Sequence, residues 1–199
     1  MSDFIFSKDK DNIISIIWDV ENKSMNVLTL KGMESFESCI NKALTDATAR
    51  GIIISSGKKD FSGGFDLEIL NSMSAKSSKD FSETAFNTIM KIHTILRKLE
   101  LAGRETETNK KSIPVIWASQ GISAGIGTEI ALACHRRIIT DTPRSKIGLP
   151  EIKVGLFPFG GGTTRVMRML GAMAASPILL EGKMLSASTA KAVGLVHEI

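Results

Sequence analysis

The chain has 199 residues, 43% apolar and 23% charged, with a formal net charge of +4. That composition suits one globular domain with a sizeable core, and it excludes a disordered tail, a collagenous chain and a small disulfide scaffold. The basic residues are scattered and Tyr is absent, so nucleic acid is not an expected partner, although a small anionic ligand is compatible with the charge. No apolar run reaches the roughly 18 residues of a membrane span. The opening Met1-Ser2-Asp3-Phe4 has neither the basic nor the apolar region of a secretory signal. Cys39 and Cys134 lack any CxxC or zinc spacing and read as reduced core thiols, which fits a cytoplasmic protein with no metal.

In chain order, residues 12–20 (NIISIIWDV) are rich in β-branched side chains and predict a strand. Residues 30–50 place Met33, Phe36, Ile40, Ala43, Leu44 and Ala47 at steps of three and four, the mark of an amphipathic helix. A short buried strand is expected at 51–56 (GIIISS) and a loop at 57–66. Residues 78–101 predict a helix with Phe86, Ile89, Met90, His93 and Leu96 on one stripe, and 102–112 (AGRETETNKKS) a solvated connector. A strand follows at 114–119 with Pro at its first position, where it is tolerated. Then come a Gly-rich turn at 121–127, a short helix at 128–135 and a strand at 137–140. Residues 147–162, broken by prolines and a glycine triplet, read as irregular. Helices are expected at 163–170, 172–181 and 186–193, and the final LVHEI reads as the start of a strand. Strands alternating with helices predict an α/β fold, with a doubly wound parallel sheet as the alternative architecture.

Three glycine-rich places could carry chemistry. In the first, Gly63 and Gly64 precede Phe65, Asp66 and Leu67; paired glycines let backbone N–H groups approach a ligand, and Asp66 can cap the next segment. The second runs from Gly121 to Glu129 between a strand and a helix. Such a unit aims free N–H groups and the helix dipole at one point. Its glycines, GxxxGxG, match neither the dinucleotide fingerprint nor the P-loop. The third holds Glu151 among Leu149, Val154, Leu156 and Phe157, with Gly160-Gly161-Gly162 after it. A carboxylate in apolar company has its pKa raised and can donate a proton. The triplet suits either a phosphate cradle or close packing at a helix start. Each place also has a plain structural reading as a turn, a helix-start carboxylate or a loop residue. Together, two turns with backbone donors and two carboxylates suit enolate stabilisation with proton transfer.

These segments match a known family. FSGGFDL resembles F-S/A-A-G-A-D-L/I of the crotonase (enoyl-CoA hydratase/isomerase) superfamily, and QGISAGIGTEIALACHRRI resembles its N-G-x-A-L-G-G-G-x-E-L-A-L-A-C-D-x-R-I. IGLPEIKVGLFPFGGGTTRVMRMLG and SASTAKAVGLVHEI resemble the family's next two motifs, so the likeness covers nearly the whole chain. The wording is most similar to the hydratase part of the bifunctional α subunits of bacterial fatty-acid β-oxidation complexes.

The resemblance implies a spiral of repeated ββα turns, forming two roughly perpendicular sheets flanked by helices. It implies one crotonase-like domain over 1–199, truncated at its C-terminus, without the family's final helices or the dehydrogenase part that alone would need NAD. The implied ligand is an acyl-CoA thioester whose oxygen is held by the N–H groups of Phe65 and Ile126. Glu129 and Glu151 are the implied catalytic carboxylates for hydration of a trans-2-enoyl-CoA. CoA contacts are expected along Lys58, Lys59, Gly63, Gly64, Phe65, Asp66, Leu67 and Gly125. No cofactor is expected here. Self-association and a thiolase subunit are the implied partners. The alternatives are a Δ3-Δ2-enoyl-CoA isomerase and a non-catalytic acyl-CoA-binding or assembly module. Phe65 and Ile126 stand where the family has Ala and Gly, and Phe159 where it has Gly. Their side chains must therefore point away from the donors, and Phe65 is expected to narrow the acyl or adenine pocket.

Overall fold

A computed structural model describes residues 2–69, 78–102 and 112–199 of the chain. The connector expected over 102–112 falls almost wholly outside them.

The first strand, β1 (Phe4–Lys8), was not anticipated from the sequence. It has five residues, and Phe4 is its only buried side chain, too little alternation to read as a period. It pairs antiparallel with β2 (Ile13–Trp18), from Phe4 opposite Trp18 to Lys8 opposite Ile14. Asp9 closes the hairpin by accepting from the Asp11 and Ile13 N–H groups. Helix α1 (Leu30–Thr45) comes next, its N-terminus capped by Thr29, whose hydroxyl accepts from the Gly32 N–H at 2.9 Å.

The strands β3 (Gly51–Ser56), β4 (Val115–Ser119) and β6 (Arg136–Ile139) continue the sheet in parallel, in the order β1-β2-β3-β4-β6. The segments after them build a second sheet. It contains β5 (Ile122–Ala124), β7 (Lys146–Gly148) and β8 (Leu185–Ser186). Single bridges from Leu28 to Phe65 and from Ser62 to Ser123 carry the same pairing back toward β2 and β3. The chain thus visits the first sheet, then the second, then a helix, and repeats. The helices of these repeats are α1, α2 (Ser78–Leu101), α3 (Ile126–Ala133) and α4 (Gly162–Leu180). This is the ββα spiral, with two sheets rather than one doubly wound sheet.

Boundaries moved where short strands lie in glycine-rich sequence. The expected turn at 121–127 contains β5, and α3 begins at Ile126 rather than 128. The irregular 147–162 segment holds the end of β7 and a 3-10 turn at Glu151–Val154. Helix α4 breaks at Gly171 (φ 74°, ψ 168°), which divides it as the sequence suggests. The last helix, α5 (Ala187–Ala192), starts at a Ser186 cap. The final strand is reduced to one bridge between Ile138 and Glu198.

Stacked and edge-to-face aromatic rings run through the core. Phe36 stacks on Phe4, Phe4 on Trp18, Trp18 meets Phe61, and Phe61 meets Trp117, with centroids 4.5–5.8 Å apart. At the turn from β4 into β5, Gly121 (φ 63°) leaves no room for a Cβ beside Asp60 and the Lys59 carbonyl. Asp60, 2% exposed, accepts from the Ile122 N–H at 2.8 Å and pairs with Arg144, which fixes the start of β5. Among the described residues no helix is long and apolar enough to cross a membrane.

Candidate active site

Glu129 lies in the first turn of α3, a helix whose eight residues are all buried. The carboxylate is 1% exposed. Its Oε1 accepts from the N–H of Gly162, the first residue of α4, at 2.7 Å. The Gly160 amide lies beside it and favours its ionised form. A Cβ on Gly160 would stand 2.6 Å from Oε2, and one on Gly162 2.9 Å from Oε1. The glycine triplet is therefore a close-fitting cradle for a carboxylate rather than for a phosphate. Arg165 holds the cradle in place: its guanidinium donates to the Gly160 carbonyl at 2.9 Å and to Glu100 Oε1 of α2 at 2.9 Å. Burial pushes the Glu129 pKa up to about 7; the Gly162 amide opposes the rise and the charge of Glu151 adds to it.

Glu151 opens the 3-10 turn after Pro150. It is 9% exposed, and burial raises its pKa. Its Oε2 is buried with no hydrogen-bond partner among the described residues. Its Oε1 lies 3.2 Å from where a Cβ on Gly125 would stand. Gly125 (φ 57°) is the residue before α3, so the same bend that starts the Glu129 helix makes room for Glu151.

Both carboxylates line one cavity of about 190 Å³, together with Gly63, Gly64, Phe65, Gly125 and Ile126. The bridge to Leu28 is made by the Gly64 carbonyl and the Asp66 N–H. In a parallel bridge that pattern turns the N–H of the residue between, Phe65, to the other side. Ile126 is the first residue of α3, and its N–H has no intrahelical acceptor. Its neighbours are engaged: Gly125 donates to the Gly148 carbonyl and Glu129 to the Gly125 carbonyl. Two backbone donors and two buried carboxylates thus meet at one concavity, an arrangement able to bind a developing oxyanion and move protons beside it.

Residues 9–199 match the model of the enoyl-CoA hydratase/isomerase family. The chain belongs to that family. Over 198 residues it is 31% identical to the fatty acid oxidation complex subunit alpha of Shewanella sp. (strain ANA-3), covering 98% of this chain and 26% of that relative. The chain spans about a quarter of the length of such relatives. The fold matches an enoyl-CoA hydratase from Bacillus anthracis with a TM-score of 0.81 at 26% identity, covering 99% of this chain and 69% of the other. It matches an enoyl-CoA hydratase from Thermoplasma volcanium GSS1 with a TM-score of 0.83 at 25% identity, covering 100% and 71%.

The three departures from the family's motifs now have places. Ile126 is 2% exposed, and its side chain joins the core, with Cδ1 2.9 Å from a Cβ position on Gly160. Neither Ile126 nor Phe65 has a positive φ, so the bulky residues cost no backbone strain. Phe65 and Phe159 both line the cavity and meet edge to face, centroids 5.5 Å apart and planes at 85°.

The expected CoA contacts are only partly assembled. Gly63, Gly64, Phe65, Leu67 and Gly125 reach the cavity. Asp66 does not line it; it caps the short turn after it, accepting from the Glu68 N–H at 2.9 Å. Lys58 and Lys59 do not line it either. Lys58 is turned to Asp19, 2.7 Å away, while Lys59 is exposed. Sequence reasoning missed the roles of Arg165 and Glu100, which lie 65 residues apart, a separation that leaves no local pattern. It also missed Lys153 in the lining, although Leu156 beside it had been placed around Glu151.

Proposed function

We propose that this site hydrates trans-2-enoyl-CoA thioesters to 3-hydroxyacyl-CoA. The observation that carries the reading is the pair of buried carboxylates facing one cavity beside the Phe65 and Ile126 N–H groups, which have no backbone acceptor among the described residues. In this reading the thioester oxygen lies between the N–H groups of Phe65 and Ile126, where charge develops as the enolate forms. Water adds its oxygen to Cβ. One carboxylate takes the proton that water loses, and the other gives a proton to Cα. Both carboxyl pKa values are raised, and Glu129, at about 7, can hold a proton near neutrality beside Glu151, the state this cycle needs. Hydration is redox-neutral, so NAD would serve only a dehydrogenase part, and the two acids supply the proton transfers without a metal. The CoA moiety runs past residues 63–67, with the exposed Lys59, rather than the paired Lys58, facing its phosphates.

Longer relatives are named as subunits of a fatty acid oxidation complex. We place this chain in the same β-oxidation setting, in the cytoplasm, with self-association and a thiolase subunit as its expected partners. The test is hydration of crotonyl-CoA, monitored by loss of the enoyl-thioester absorbance. Turnover that disappears in Glu129→Gln and Glu151→Gln supports the reading. Tight acyl-CoA binding without turnover would make the protein a binding module instead. Double-bond migration in a 3-enoyl-CoA, without hydration, would make it an isomerase.

A further inference from the structure

We propose that the Phe65–Phe159 ring pair is the acyl-end wall of the cavity and restricts the site to short-chain enoyl thioesters. The inference rests on the hydration reading above and adds its substrate class.

The two rings come from two separate segments of the cavity lining and meet there edge to face. Neither stands on yielding backbone. Phe65 is flanked by Gly64, whose N–H donates to Ser62 Oγ at 2.9 Å, and by Asp66, whose N–H donates to the Leu28 carbonyl at 3.1 Å. Phe159 precedes Gly160, which is wedged against Glu129 and Ile126 and held at its carbonyl by Arg165. Moving the backbone under either ring would therefore disturb the turn that carries one donor amide or the cradle that carries one acid.

Position and size point the same way. The ring of Phe65 belongs to the residue whose amide takes the thioester oxygen, so it stands within a side-chain length of the reacting carbons. Leu67, Val154 and Leu156 make the neighbouring wall apolar, which suits an alkyl end. The cavity, at about 190 Å³, falls below the roughly 300–1,000 Å³ of sites that bury a drug-sized ligand. It suits the conjugated thioester and a few carbons beyond it, but not a long acyl chain.

The experiment compares kcat/KM for crotonyl-CoA and trans-2-decenoyl-CoA in the wild type, Phe159→Ala and Phe65→Ala, with thermal melts to confirm folding. The wild type should favour crotonyl-CoA by about tenfold or more, in line with what apolar pockets discriminate. Each variant should raise the decenoyl-to-crotonyl ratio by about tenfold, since each removes one ring of the pair. Phe159→Leu, which keeps apolar bulk without a ring edge, should fall between. A wild type indifferent to chain length, or a ratio unmoved in both alanine variants, overturns the proposal. An equal change at both lengths also overturns it, because the pair would then wall the CoA side. No turnover at either length sinks the hydration reading instead. Calorimetric binding of butyryl-CoA and decanoyl-CoA then decides the wall: Phe159→Ala must improve decanoyl binding relative to butyryl, and no relative gain refutes it.

Discussion

Glu129 and Glu151 are the residues on which the proposed chemistry turns. Glu129→Gln and Glu151→Gln should each lower kcat by about 10²–10⁴, the usual range for general acid–base groups. Acyl-CoA affinity should change little, because in the proposed binding mode the thioester is held by backbone. The double variant should be barely worse than the worse single one, since groups acting as a unit are not additive. The cycle needs one ionised and one protonated carboxyl, so kcat/KM should be bell-shaped in pH. The apparent pKa values belong to the pair, with Glu129 itself raised to about 7. A profile flat through neutrality would show that the pair does not transfer protons.

The glycine cradle and its Arg165 brace set the geometry one level up. Gly160 and Gly162 have no positive φ, so alanine is tolerable to their backbone. Its methyl would nonetheless displace the Glu129 carboxylate. A misplacement of about 1 Å can cost roughly 10²-fold in rate, and Gly160→Ala should lose about that much kcat with its melting temperature less affected. Arg165→Met removes a positive charge that lowers the Glu129 pKa. The limb of the rate profile governed by Glu129 should move to higher pH, with kcat falling more than KM changes. Arg165→Lys should restore the position of that limb but not the full rate, because Lys lacks the planar fork that reaches both Gly160 and Glu100. An unchanged profile in Arg165→Met would reduce Arg165 to a packing role. These contacts also mark the limit of what could be read in advance. GIIISS and PVIWAS announce central strands because their β-branched and aromatic residues are buried. The three-residue β5 and β7 announce nothing, because pairing across the spiral, not local period, makes them strands. Glu129 and Glu151 stood out through their glycine- and proline-rich surroundings. The amide that holds Glu129 comes from 33 residues away, and no local pattern reveals such a bond.

At the scale of the whole molecule, the buried site bears on stability. The folded pKa of Glu129, about 7, lies above its ordinary 4.5. At pH below the ordinary value both folded and unfolded states are protonated, and burial of this group carries no ionisation penalty. As pH rises from there to about 7, the unfolded chain gives up the proton first, and stability falls by about 3 kcal/mol before levelling off. Asp60 acts in the opposite sense. Arg144 holds its pKa below the ordinary value, so its contribution is present above that value and is lost as pH falls through the folded pKa. Urea melts at about pH 4 and about pH 8 should show the stability gap between wild type and Glu129→Gln moving by about 3 kcal/mol in the variant's favour at the higher pH. A gap independent of pH would mean that Glu129 titrates normally. The backbone origin of the Phe65 and Ile126 N–H groups has a further, evolutionary consequence. A peptide N–H cannot be deleted by point mutation other than to proline, so a side-chain replacement at either position, within what packing allows, leaves the proposed donor in place. Descendants of one ancestral site can therefore diverge in the molecules they accept while inheriting the same reaction.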